Sequence, residues 1–102
     1  LVLGHTRVTD DGVKVLRALP KLATLNLDST GVTDASCRQL GGMSSLRTLV
    51  LSNTQVTDAG VRELGALRQL RTLWVINTAV SDAAIRELQT LVPNCTVRRW
   101  AR

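Results

Sequence analysis

The chain has no Phe and no Tyr, and its only aromatic residues are Trp74 and Trp100. A core of stacked rings is excluded. Hydrophobic residues are 44% of the total, so aliphatic side chains, Leu above all, must fill it. His5 is the only histidine, and the two cysteines, Cys37 and Cys95, form no C-x-x-C pair. That excludes a disulfide framework and a zinc site of ordinary spacing, and it fits a reducing, intracellular compartment. No apolar run approaches the ~20 residues of a membrane-spanning helix, so no membrane partner is expected. There is no Gly-rich phosphate loop and no Ser-His-Asp order. A lone His5 has neither a second ligand nor a nucleophile beside it. No enzyme, cofactor or metal site is expected.

What is present is repetition. The stretch Leu49-Val50-Leu51-Ser52-Asn53-Thr54-Gln55-Val56-Thr57-Asp58 has counterparts beginning at Leu1, Leu25 and Leu73, each start 24 residues after the last. The shared pattern is L-x-L-x-x-T-x-V-T-D-x-x-V-x-x-L-x-x-L-x-x-L-x-T. A period of this length implies a solenoid, because each unit can bury its apolar side only against the next. The expected units are 1–24, 25–48, 49–72 and 73–96, with a C-terminal cap over 97–102, all in one domain. The opening at Leu1 falls in mid-pattern and reads as the continuation of a longer array. Its first strand would offer an edge for oligomerisation.

Within each unit, alternation such as Leu25 and Leu27 predicts a short strand with two inward side chains. Successive strands should run parallel through right-handed crossovers. Thr6, Thr30, Thr54 and Thr78 mark the corner that follows, where a ladder of hydroxyls could satisfy backbone groups from one unit to the next. Thr9, Thr33, Thr57 and Ser81 are suited to cap helices. Asp10, Asp34, Asp58 and Asp82 fall in the first helical turn, where carboxylates favour the helix dipole. Helical spacing then predicts four buried stripes: Val13, Leu16 and Leu19; Cys37, Leu40 and Met43; Val61, Leu64 and Leu67; Ile85, Leu88 and Leu91. Cys37 reads as a small core residue. Cys95 should lie about 10 Å from it at the sheet spacing, too far for a disulfide. In the tail, Arg99 replaces an inward Leu and blunts the sheet edge.

Leu25-Asn26-Leu27-Asp28-Ser29-Thr30-Gly31-Val32-Thr33-Asp34 and Leu49 to Asp58 resemble leucine-rich repeats. More closely, they are similar to the subclass with a [VI]-T-D step after the strand, as in the cysteine-containing repeats of F-box proteins and in short-repeat microbial proteins. The corner residue commonly Asn or Cys there is Thr here, and the unit is shorter than the cysteine-containing type. The resemblance covers about the whole chain. It implies an α/β solenoid of four 24-residue repeats, with a parallel sheet lining the inner face, helices outside, and protein–protein recognition as the usual role.

Strand residues pointing away from the core should form columns on that inner face. One is Val2, Asn26, Val50, Trp74 and Arg98, and the other Gly4, Asp28, Ser52, Ile76 and Trp100. The expected partner-binding residues are Asn26, Asp28, Val50, Ser52, Trp74, Ile76, Arg98 and Trp100, with Trp and Arg as anchors. A packing reading stands beside this one: Trp74 stacks on Arg98, and Trp100 folds back over the last repeat. The net charge is +5 and the sequence pI about 10.6, which keeps a nucleic-acid partner open. The chain would then be a basic structural subunit of a ribonucleoprotein or other large assembly, although no RNA-binding motif of the usual kinds is present. Lys14, Arg38, Arg62 and Arg86 form a helical column, each four residues after an Asp, and are expected to pair with it. Arg47, Arg68, Arg71, Arg98, Arg99 and Arg102 have no such local partner and are the better phosphate candidates. Asn94-Cys95-Thr96 matches a glycosylation acceptor, relevant only to a secreted chain.

Overall fold

The computed structural model describes residues 4, 7–16, 18–19 and 21–99. In chain order these form α1 (Asp10–Leu16), β1 (Thr24–Asn26), α2 (Asp34–Leu40), β2 (Thr48–Val50), α3 (Asp58–Glu63) with a following 3-10 turn (Leu64–Ala66), β3 (Thr72–Trp74), α4 (Asp82–Leu91) and β4 (Thr96–Arg98). The strands make one parallel sheet in the order β1-β2-β3-β4. Its register pairs Leu25 with Leu49, Leu49 with Leu73, and Leu73 with Val97. The repeated leucines are therefore adjacent rungs of one ladder. The strand expected at Leu1 to Leu3 lies outside the described residues.

The core is aliphatic, as the missing rings require. Leu25, Leu27, Leu49, Leu51, Leu73 and Val75 enter it from the sheet and are fully buried. Val13, Cys37, Leu40, Val61, Leu64 and Leu88 meet them from the helices. The expected stripes fail at two places, and a third member, Ile85, is only partly buried. Leu19 lies beyond the end of α1 and is 44% exposed, and Leu91 is 46% exposed. α4 runs for ten residues, against six or seven in the other helices, and Val92 just past its end takes the buried place.

The corner after each strand is made by one residue in the left-handed region: Ser29 (φ 58°), Asn53 (φ 56°) and Asn77 (φ 56°). Short polar side chains tolerate this conformation best after glycine. Its effect is to send backbone N–H groups sideways. The amide of Ser29 donates to the Ser52 carbonyl (3.0 Å), and that of Asn53 to Ile76 (2.8 Å). The corner threonines work differently from the expected ladder. Thr30, Thr54 and Thr78 each donate to a carbonyl three residues earlier, of Leu27, Leu51 and Val75, at 2.6–2.7 Å. They close the turn inside their own unit rather than bonding to the next.

The carboxylates at the helix starts do what the threonines do not. Asp10 accepts from the Thr33 amide (2.8 Å), the Thr33 hydroxyl (2.7 Å) and the Ser36 hydroxyl of the next unit. Asp34 accepts from the amide and hydroxyl of Thr57, and Asp58 from those of Ser81 (2.6 and 2.7 Å). Each Asp thus fastens its unit to the residue opening the next helix. Asp82 differs from the others in pairing with Arg99. The expected pairing of each Asp with the base four residues on is absent among the described ion pairs. Lys14 pairs with Asp11 and Arg62 with Glu87 instead, because the Asp oxygens are already committed. Capping changes accordingly. Thr33 and Ser81 accept from Ala35 and Ala84 amides, whereas Thr57 makes no such bond.

Titration follows this bonding. Burial pushes the Asp10 carboxyl upward, but the donors of Ser36 and Thr33 outweigh it and hold the group below the usual carboxylate value. The amide and hydroxyl of Ser81 do the same for Asp58. Both cysteines are free and buried, and burial raises Cys37 to about 12 and Cys95 to about 11.

Candidate protein-binding face

Pleating turns Thr24 and Asn26 away from the core while Leu25 enters it, and the same holds in every strand. Strand pairing then aligns these outward residues. Asn26 sits beside Val50, Val50 beside Trp74, and Trp74 beside Arg98. Asn26, Val50 and Trp74 are half-buried and Arg98 is exposed. The Arg98 guanidinium carbon lies 5.7 Å from the Trp74 ring centroid, a cation–π arrangement. The stacking that the packing reading foresaw is therefore present, and it fixes the ring at the last pair of strands.

The second column is less uniform. Asp28 and Ile76 are half-buried, but Ser52 is only 4% exposed. The Ser52 hydroxyl accepts from the Ile76 amide at 3.0 Å, so this side chain builds the face from within. Asp28 also has structural duties. Its carboxylate accepts from the Ser29 hydroxyl and from the Asn53 side-chain amide, both at 2.9 Å. Asn77 extends the chain by donating to Asn53 at 2.9 Å. A polar ladder thus borders the face along the strand ends. Trp100 and Val2 lie outside the described residues.

Two features escaped sequence reasoning. Thr24, Thr48, Thr72 and Thr96 form a third outward column, aligned by the pairing and half-buried to exposed. It is legible as the last T of the repeat pattern. The other is a column of small residues, Gly12, Ser36, Gly60 and Ala84, where helices meet. An added Cβ on Gly60 would stand 2.4 Å from an Asp34 carboxylate oxygen and 3.0 Å from the Cys37 sulfur.

The helical basic column lies on the opposite side of the molecule. Lys14, Arg38, Arg62 and Arg86 are exposed. Among the described residues no group of acidic, His and Cys side chains could hold a metal ion, and no helix is long and apolar enough to cross a membrane.

The sequence model described as Leucine Rich repeat matches residues 42–65. This window runs from the end of α2 through β2 into the 3-10 turn after α3, and so holds one strand and one helix of the stack. The fold is that of a leucine-rich-repeat solenoid. Compared by sequence, none of the curated proteins matches it. Among solved structures it is similar to an internalin from Listeria monocytogenes, with a TM-score of 0.63 at 18% identity. The alignment covers 97% of this chain and 34% of the internalin, so this chain spans about a third of that protein. At that identity the likeness concerns the leucine-rich-repeat fold.

Proposed function

We infer that this leucine-rich-repeat chain is a non-enzymatic scaffold whose protein partner seats on the inner sheet face. The observation carrying this reading is the aligned row Asn26, Val50, Trp74 and Arg98, open on one side and held in register by the sheet. A row of mixed character on a rigid support offers aromatic, aliphatic and cationic contacts without any ordering cost in the backbone. Val50, Trp74 and Ile76 supply the apolar part, Asn26 and Asp28 the polar border, and Arg98 the charge. Ser52 supports the face from beneath. Residues 1–102 act as one repeat domain in this reading.

The test is affinity capture with the chain immobilised, comparing wild type, Trp74→Ala and Arg86→Ala, with and without nuclease. A protein held by wild type and Arg86→Ala, lost with Trp74→Ala and indifferent to nuclease is expected. Circular dichroism should show unchanged folding in both variants. Retention by Trp74→Ala, or release by nuclease, contradicts the reading and returns weight to a ribonucleoprotein subunit.

A further inference from the structure

Charge is distributed unevenly around the solenoid. Segments 16–24, 40–48, 64–72 and 88–96 carry each helix end back to the next strand start. They contain Arg17, Lys21, Arg47, Arg68 and Arg71, and no Asp or Glu. The other eight basic residues equal the eight acidic residues in number, so the whole net charge of +5 falls in these segments. Because the strands are parallel, the segments gather at a single edge of the sheet. Lys21, Arg47, Arg68 and Arg71 are all exposed there, and none belongs to an ion pair among the described residues. The Arg47 amide donates to Ala23 at 2.8 Å and the Arg71 amide to Arg47 at 2.7 Å. Arg47 and Arg71 are therefore successive rungs, about 4.8 Å apart.

Six of the eight carboxylates lie elsewhere: Asp28 follows β1, and Asp10, Asp11, Asp34, Asp58 and Asp82 open the helices, at the other edge. Glu63 ends α3, and Glu87 in α4 pairs with Arg62. The basic edge carries more positive than negative charge, and it is continuous with the open face through Thr48 and Thr72, which follow Arg47 and Arg71 directly.

We propose that the partner presents an extended, carboxylate-rich segment that lies across the strand starts. Its carboxylates pair with Arg47, Arg71, Lys21 and Arg68, while neighbouring apolar side chains reach Val50 and Ile76. This rests on the protein-binding reading above and specifies the partner's chemistry. Guanidinium–carboxylate pairs are strong and geometrically selective. A single-stranded nucleic acid fits less well. It binds by stacking successive bases on several aromatic side chains, and the described residues of this face offer a single ring, Trp74. A second copy of the chain fits less well too, because Asp10, Asp34 and Asp58 already hold the next unit's hydroxyls and amides.

The probe is a fluorescein-labelled peptide of alternating Glu and Leu, followed by anisotropy at low salt. A Gln-Leu peptide and an oligo-dT of equal charge serve as comparators. The double variants Arg47→Glu/Arg71→Glu and Arg38→Glu/Arg86→Glu change net charge equally at the basic edge and on the helices. Loss of about tenfold or more in affinity for the Glu-Leu peptide is expected from the edge variant, and less than about twofold from the helix variant. Arg47→Gln/Arg71→Gln should fall between wild type and the edge reversal, and circular dichroism should match wild type throughout. Equal loss in both reversals, tighter binding of the oligo-dT, or no binding of the Glu-Leu peptide overturns the proposal. In the capture experiment, a partner lost with Trp74→Ala but untouched by Arg47→Glu/Arg71→Glu would remove the acidic segment and leave the protein-binding reading standing.

Discussion

Asp10 is the residue whose chemistry best explains why the units hold together. It receives an amide and two hydroxyls from the next unit, more partners than a solvated carboxylate keeps in fixed geometry. Asp10→Ala strands these donors, part-buried among the helix starts, and should cost about 1–3 kcal/mol in urea unfolding. Acid should act in the same direction. The folded-state carboxyls of Asp10 and Asp58 sit below the usual value. Their contribution is therefore complete above the unfolded pKa and lost as pH falls through the folded one. The urea midpoint is expected to be flat from about pH 7 down to about pH 5 and to drop below about pH 4, where carboxylates titrate. A midpoint unchanged at the acid end would contradict the role given to these groups. Arg99→Ala tests the substitute at the last unit. Asp82 there is largely exposed, so a loss under about 1 kcal/mol is expected.

At the scale of the element, the helices are held at a close, specified distance. A Cβ added to Gly41 would stand 2.8 Å from the Glu63 carbonyl oxygen, and backbone cannot step aside as a flexible side chain does. Gly41 has φ −59°, so alanine suits its conformation and the clash alone decides the outcome. Gly41→Ala should destabilise by about 1–3 kcal/mol as α2 and α3 are pushed apart, measured as a lower thermal midpoint. The elements themselves were readable because two periods coexist in each unit. Leu25 and Leu27 alternate, whereas Cys37 and Leu40 stand a helical step apart. What misled was local pairing. Asp34 and Arg38 have the spacing of a helical ion pair, but the competing partner, Thr57, lies 23 residues on and is visible only once the stack exists. Leu91 failed for a different reason. α4 is three or four residues longer than the other helices, and the buried place falls to Val92, the next residue.

Across the whole molecule, the repeat makes one continuous core beneath one continuous face. Leu49 is fully buried between Leu25 and Leu73, so Leu49→Ala should cost about 2–5 kcal/mol and disturb both neighbouring units. The outward columns were placed in advance by alternation alone, because a residue between two inward leucines can only face out. That same rule gave Ser52 an outward position without showing that its hydroxyl would be drawn down to the Ile76 amide.

Covalent footprinting of the chain, free and bound to its captured partner, tests the inner-face assignment most directly. Protection is expected at Val50, Trp74, Ile76 and Arg98, with Lys14, Arg38 and Arg86 on the helices labelled as in the free chain. Protection of the helical arginines with the inner row unchanged would contradict it.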